Sequence, residues 1–87
     1  MIELRRSEFC ICAVGASSSR YQALLESLKT SGYNVVLKQD YPSLLDMIAI
    51  EPPHFVVFDF EQSGSELIEW ANHIRKVSAE IRILVVV

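Results

Sequence analysis

Glycine and proline are scarce, three of each in 87 residues, and cysteine stands at two. So few turn formers exclude a loop-rich scaffold. Cys10 and Cys12 are too few for the disulfide framework that holds small secreted domains together. Basic charge is lacking as well: 8 Lys and Arg against 11 Asp and Glu give a net charge of −3. A chain without a basic surplus has little counterion release to drive binding to a polyanion, which excludes nucleic acid as the expected partner. Long hydrophobic runs are absent too. The longest, residues 9–14 and 83–87, are far below the roughly 18 needed to cross a bilayer. Charge at Glu3, Arg5, Arg6 and Glu8 does not fit a signal peptide. The expectation is a soluble, cytoplasmic chain with no membrane partner.

What is present is apolar. Hydrophobic residues make up 51% and charged residues 22%, enough to fold around a packed core, and the length suits one domain or part of one. Residues 1–7 read as an irregular lead-in to a domain over 8–87. Phe9-Cys10-Ile11-Cys12-Ala13-Val14 is a continuous apolar run closed by Gly15, the pattern of a strand buried on both faces. Tyr21, Leu24, Leu25 and Leu28 then fall at helical spacing, with serine available as the N-cap and Gly32 placed to end the helix. Tyr33-Asn34-Val35-Val36-Leu37-Lys38 alternates imperfectly and predicts a strand near a sheet edge.

Asp40-Tyr41-Pro42 opens a helix of about three turns carrying Leu44, Leu45 and Ile48, which ends before Pro52-Pro53. His54-Phe55-Val56-Val57-Phe58-Asp59-Phe60 is a second run apolar on both faces. Ser63-Gly64-Ser65 precedes a helix whose faces are marked by Leu67, Ala71, Ile74 and Val77 or by Ile68, Ala71 and Arg75, with acidic residues at its start and Arg75 and Lys76 at its end. Residues 81–87 read as a fourth, core strand. The alternation β-α-β-α-β-α-β with short connections predicts an α/β fold: a doubly wound parallel sheet with helices on both faces. A chain stopping at Val85-Val86-Val87 is expected to be part of a longer one, or to complete its core from a partner.

Four stretches carry a likeness to a known family: Arg20, Leu24-Leu25, Leu28 and Gly32-Tyr33-Asn34-Val35; Glu51-Pro52-Pro53-His54-Phe55-Val56-Val57-Phe58-Asp59; Leu67-Ile68 with Ile74-Arg75; and Ile81-Arg82-Ile83-Leu84-Val85-Val86. In order and spacing they resemble the receiver domain of bacterial response regulators. That family has a flavodoxin-like or CheY-like sheet of strand order 2-1-3-4-5. The resemblance implies order 2-1-3-4 here, the fifth strand missing from this chain. In receivers the aspartate ending strand three accepts a phosphoryl group from a histidine kinase, and Asp59 holds the matching position. The family binds Mg²⁺ with an acidic pair after strand one, where this chain has Gly15 and Ala16. The hydroxyl expected at the end of strand four is replaced by Val86 or Val87, and the Met-Pro turn after the aspartate by Phe60-Glu61-Gln62-Ser63-Gly64. Phosphoryl transfer brings anionic oxygens together and needs a divalent cation held by hard oxygen donors. The resemblance therefore implies a degenerate pseudo-receiver in signal transduction: no metal, cofactor or catalytic residue, Asp59 vestigial, and action through a protein partner, an output domain or a homodimer, by domain swapping if an element is exchanged.

Cys12-Ala13-Val14-Gly15-Ala16-Ser17-Ser18-Ser19 is similar to the phosphocysteine loop of the phosphotransferase-system IIB proteins, in which a thiolate faces the free amides of a helix N-terminus. The alternatives to the pseudo-receiver are thus a phosphocysteine carrier using Cys12 and a receiver that is still phosphorylated at Asp59, with Glu61 as a second metal ligand. The plain reading of Cys10 and Cys12 is two small buried hydrophobes on one strand face. Ser17, Ser18 and Ser19 form a candidate anion-binding turn. His54 and His73 lack partners at metal spacing. Trp70, if exposed, is the best single interface anchor, with Val85, Val86 and Val87 beside it as candidate contact residues.

Overall fold

The computed structural model describes residues 8–15, 19–59 and 66–86. Its described elements are β1 (Cys10–Val14), α1 (Ser19–Thr30), β2 (Asn34–Lys38), α2 (Tyr41–Ile50), β3 (Phe55–Asp59), α3 (Leu67–Val77) and β4 (Arg82–Val86). The four strands form one parallel sheet in the order β2-β1-β3-β4. This is the doubly wound α/β architecture expected from the alternation. The two doubly apolar runs, β1 and β3, lie side by side at the centre, with Cys12 opposite Val56 and Val14 opposite Phe58. Four of the five residues in each are buried.

Local chemistry sets the helix ends. After α1 the chain turns through Gly32 at φ 98°. The Gly32 N–H donates to Lys29 O (3.0 Å) and the Tyr33 N–H to Leu28 O (3.2 Å). This Schellman closure needs a left-handed residue and gets one without a Cβ penalty. Asp40 caps α2, its carboxylate accepting the Ser43 N–H at 2.9 Å. Pro42 stands in the first turn, where no helical hydrogen bond is lost. The helix closes as the Glu51 N–H donates to Met47 O (2.8 Å), and Pro52 and Pro53 cannot extend it.

Side chains alternate between two cores. Cys12, Val14, Val56 and Phe58 pack with Leu44 and Ile48 of α2 and Leu67 and Ile74 of α3. Ile11, Ala13 and Val57 pack on the opposite face with Tyr21 and Leu25 of α1. Of the two sets that could mark the faces of α3, the core side follows Leu67 and Ile74, while Ile68 is 71% exposed and Val77, about 60° round the helix from Ile74, is 53% exposed. β4, apolar enough in composition for a core strand, is an edge strand that pairs with β3 alone among the described strands, as the order 2-1-3-4 implies. Leu84 and Val85 are consequently 48% and 41% exposed, while Ile83 and Val86 are half-buried. β2 is the other edge, as its imperfect alternation predicts. Among the described residues no helix is long and apolar enough to cross a membrane. The lead-in, residues 1–7, lies outside the described residues, as do Phe60 and Val87.

Candidate functional site

In a sheet of this order, β1 connects outward to β2 while β3 lies on its other side, so the carboxyl ends of β1 and β3 bound the crevice where the winding reverses. Ligands of doubly wound proteins bind at such a point. Asp59 is the last residue of β3 and is 2% exposed. Alternation from Val57 and Phe58 turns it to the α1 side of the sheet.

Tyr21 reaches the same crevice from the first turn of α1. Its side chain is fully buried, and its hydroxyl donates to Val57 O at 2.6 Å and lies 3.3 Å from Val14 O. One phenol therefore ties the end of β1 to the middle of β3. Burial pushes its pKa well above the ordinary value, opposed by the Val14 carbonyl hydrogen bond and aided by the Asp59 charge. It stays a neutral donor at any physiological pH. Sequence reasoning placed Tyr21 on the apolar stripe and missed this role. The available signal was a tyrosine, with its need for a polar partner when buried, at a stripe position next to a strand end.

At the end of β1, Gly15 adopts φ 67° and its N–H donates to Lys38 O at 2.9 Å. The left-handed backbone explains glycine there, and glycine brings no side-chain oxygen to the crevice. Ser19 begins α1 and is exposed. Ala16, Ser17, Ser18 and Glu61 lie outside the described residues. Among the described residues no group of three or more His, Cys, Asp or Glu is placed to hold a metal ion.

Cys12 sits in the middle of β1, opposite Val36 on one side and Val56 on the other, with no exposure. Ala13 and Val14 after it are strand residues, not loop residues. Burial, then the neighbouring Cys10, pushes its thiol up to about 11 against a smaller opposing pull from Lys38. A thiolate fraction on the order of 10⁻⁴ at neutral pH follows, so the strand presents no ready nucleophile where a phosphocysteine loop would need one. Cys10 is half-buried and its thiol is also raised, by burial and then by Glu51. His54 lies at the opposite, amino end of the sheet, where its Nδ1 accepts the Cys10 N–H at 3.0 Å.

Neither a protein-family model nor a curated protein matches this chain.

Trp70 is half-buried, beside the core. Its ring stacks on Tyr41 with centroids 4.8 Å apart and planes 9° from parallel, and it meets Phe58 at 5.7 Å. The Tyr41 hydroxyl donates to Trp70 O at 3.4 Å. The aromatic pair forms one wall of a cleft of about 210 Å³ at the carboxyl ends of β1 and β2, lined also by Gly15, Gln39, Asp40 and Pro42. Of the other expected contact residues, Val85 and Val86 are on β4, away from this cleft in the strand order.

Proposed function

We propose that the chain is a non-catalytic, receiver-like signalling module that works in the cytoplasm by touching other proteins, with no phosphorylation switch. The observation that carries this reading is the crevice at Asp59. An acceptor aspartate must meet a phosphodonor and share a divalent cation with further oxygen ligands. Asp59 is instead enclosed at 2% exposure, Gly15 offers no side-chain ligand at the end of β1, and the buried Tyr21 hydroxyl is bonded to the backbone of both central strands at Val14 O and Val57 O. The apolar flank of β4 supports action by contact: Leu84 and Val85 are large and exposed on an edge strand, one on each face of the sheet, and a partner laid along that edge would cover both. The partner is an output domain or a second copy of the chain.

The test is incubation with Mg²⁺ and a small acyl phosphate, followed by intact-mass measurement and peptide mapping. The expected result is an unchanged mass. A phosphoryl group on Asp59 would replace the reading with a functional receiver, and one on Cys12 would replace it with a phosphocysteine carrier.

A further inference from the structure

The cleft beside Gly15 has a charge, a shape and a size that together select an occupant. Asp40 is the ionisable side chain of its lining that carries a negative charge. The hydrogen bonds from Ser43 hold its carboxyl below the usual carboxylate range, so it is an anion at neutral pH. A carboxylate has about four acceptor sites, and capping α2 leaves capacity for a ligand. An anionic ligand is disfavoured twice: Asp40 repels it, and the first turn of α2 has already given its Ser43 N–H to Asp40 and has no N–H at Pro42.

The wall is apolar and held in place. Tyr41 and Trp70 are stacked, joined by the Tyr41 hydroxyl bond to Trp70 O, and backed by Phe58. Pro42 continues that wall. Gly15, with no Cβ, adds only backbone to the lining, beside Val14. At about 210 Å³ the space is smaller than the 300 Å³ and upward typical of cofactor sites, but it accommodates one long side chain. A cationic head on an apolar stem meets all three conditions. Guanidinium fits better than ammonium because it is planar, more weakly hydrated and forked to match a carboxylate.

We propose that this cleft receives an arginine side chain of a partner protein, the guanidinium on Asp40 and the methylene stem against Pro42 and the Tyr41–Trp70 pair. The assignment rests on the proposed function only in placing that arginine on a protein. Arginine, tryptophan and tyrosine are the residue types that dominate binding hot spots, and here two of the three are already fixed on the receiving side.

The test is an amide and indole NMR titration with doubly capped arginine, N-acetyl-arginine methylamide, beside the equivalent lysine and citrulline compounds and free arginine. Citrulline is nearly isosteric with arginine but uncharged. The expected result is a saturable shift at Gly15, Gln39 and the Trp70 indole with the capped arginine, with affinity about tenfold weaker for citrulline and measurably weaker for lysine. Asp40→Asn keeps the cap, since asparagine caps as well as aspartate, and is expected to cost about tenfold in arginine affinity. Absence of a saturable shift, equal binding of citrulline, or full affinity in D40N would overturn the proposal. Free arginine binding far more tightly than the capped form would overturn its assignment to a protein side chain. A phosphorylated Asp59 would sink the proposed function while leaving these readings unchanged, because Asp59 is not in the cleft lining.

Discussion

The two faces of the sheet are packed by different means. α2 and α3 cover one, and the side chains that meet there, Phe58, Leu44, Ile74 and Val56 among them, are apolar and fully buried. α1 alone covers the other among the described helices, over Ile11, Ala13 and Val57. A helix is about 10 Å across, whereas four strands at about 4.8 Å span nearly twice that. One helix therefore leaves both flanks of its face open. Leu37 on β2 and Leu84 on β4, opposite Ala13 and Val57 in the register, are 52% and 48% exposed. The same face holds the buried polar groups of the crevice, Tyr21 and Asp59. The two-helix face is the more fully covered of the two, and the one-helix face carries the buried Tyr21 and Asp59 together with the exposed Leu37 and Leu84.

The largest expected effect falls on the two-helix face. Phe58→Ala should cost about 3–5 kcal/mol, read by urea denaturation, and Leu25→Ala on the α1 face about 2–3 kcal/mol. An equal or larger loss at Leu25 would break the comparison. Tyr21→Phe removes the phenol hydrogen bonding and should cost about 1–2 kcal/mol, with faster amide exchange at the carboxyl ends of β1 and β3. A neutral effect would show that the hydroxyl does not tie the strands.

Cys12 tests the dryness of the two-helix core. Its folded pKa of about 11 lies above the unfolded value of about 8.5. The resulting stability is fully present below the unfolded value and lost as pH rises through 11. Stability should therefore fall between about pH 9 and 11, less steeply in Cys12→Ala, and Cys12 should resist thiol reagents until the protein unfolds. Rapid modification of the native protein at Cys12 would contradict the burial. The smallest stability effect is expected at Leu84→Asp, within about 0.5 kcal/mol, with a fall in self-association measured by light scattering if a second copy covers β4.

The strands and helices were legible in the sequence because their signals are local. The doubly apolar runs announced β1 and β3, Gly32 and Pro52-Pro53 punctuated α1 and α2, and the imperfect alternation of residues 33–38 marked an edge. The edge position of β4 was legible only through the implied strand order 2-1-3-4, since β-branched residues look alike in a central and an edge strand. Asp59 could be placed from its position at a strand end. Tyr21 could not, because a hydroxyl bonded to Val14 and Val57, 7 and 36 residues away, leaves no mark in helical periodicity. The stacking of Trp70 was not legible for a similar reason: its partner Tyr41 lies on another helix.

The most direct measurement is an amide NMR titration of the intact chain with Mg²⁺ and beryllofluoride, which mimics a phosphorylated aspartate. Spectra that leave the amides of Gly15, Phe58 and Asp59 unmoved are the predicted result. A saturable, Mg²⁺-dependent shift centred on Asp59 and abolished by Asp59→Asn would contradict it.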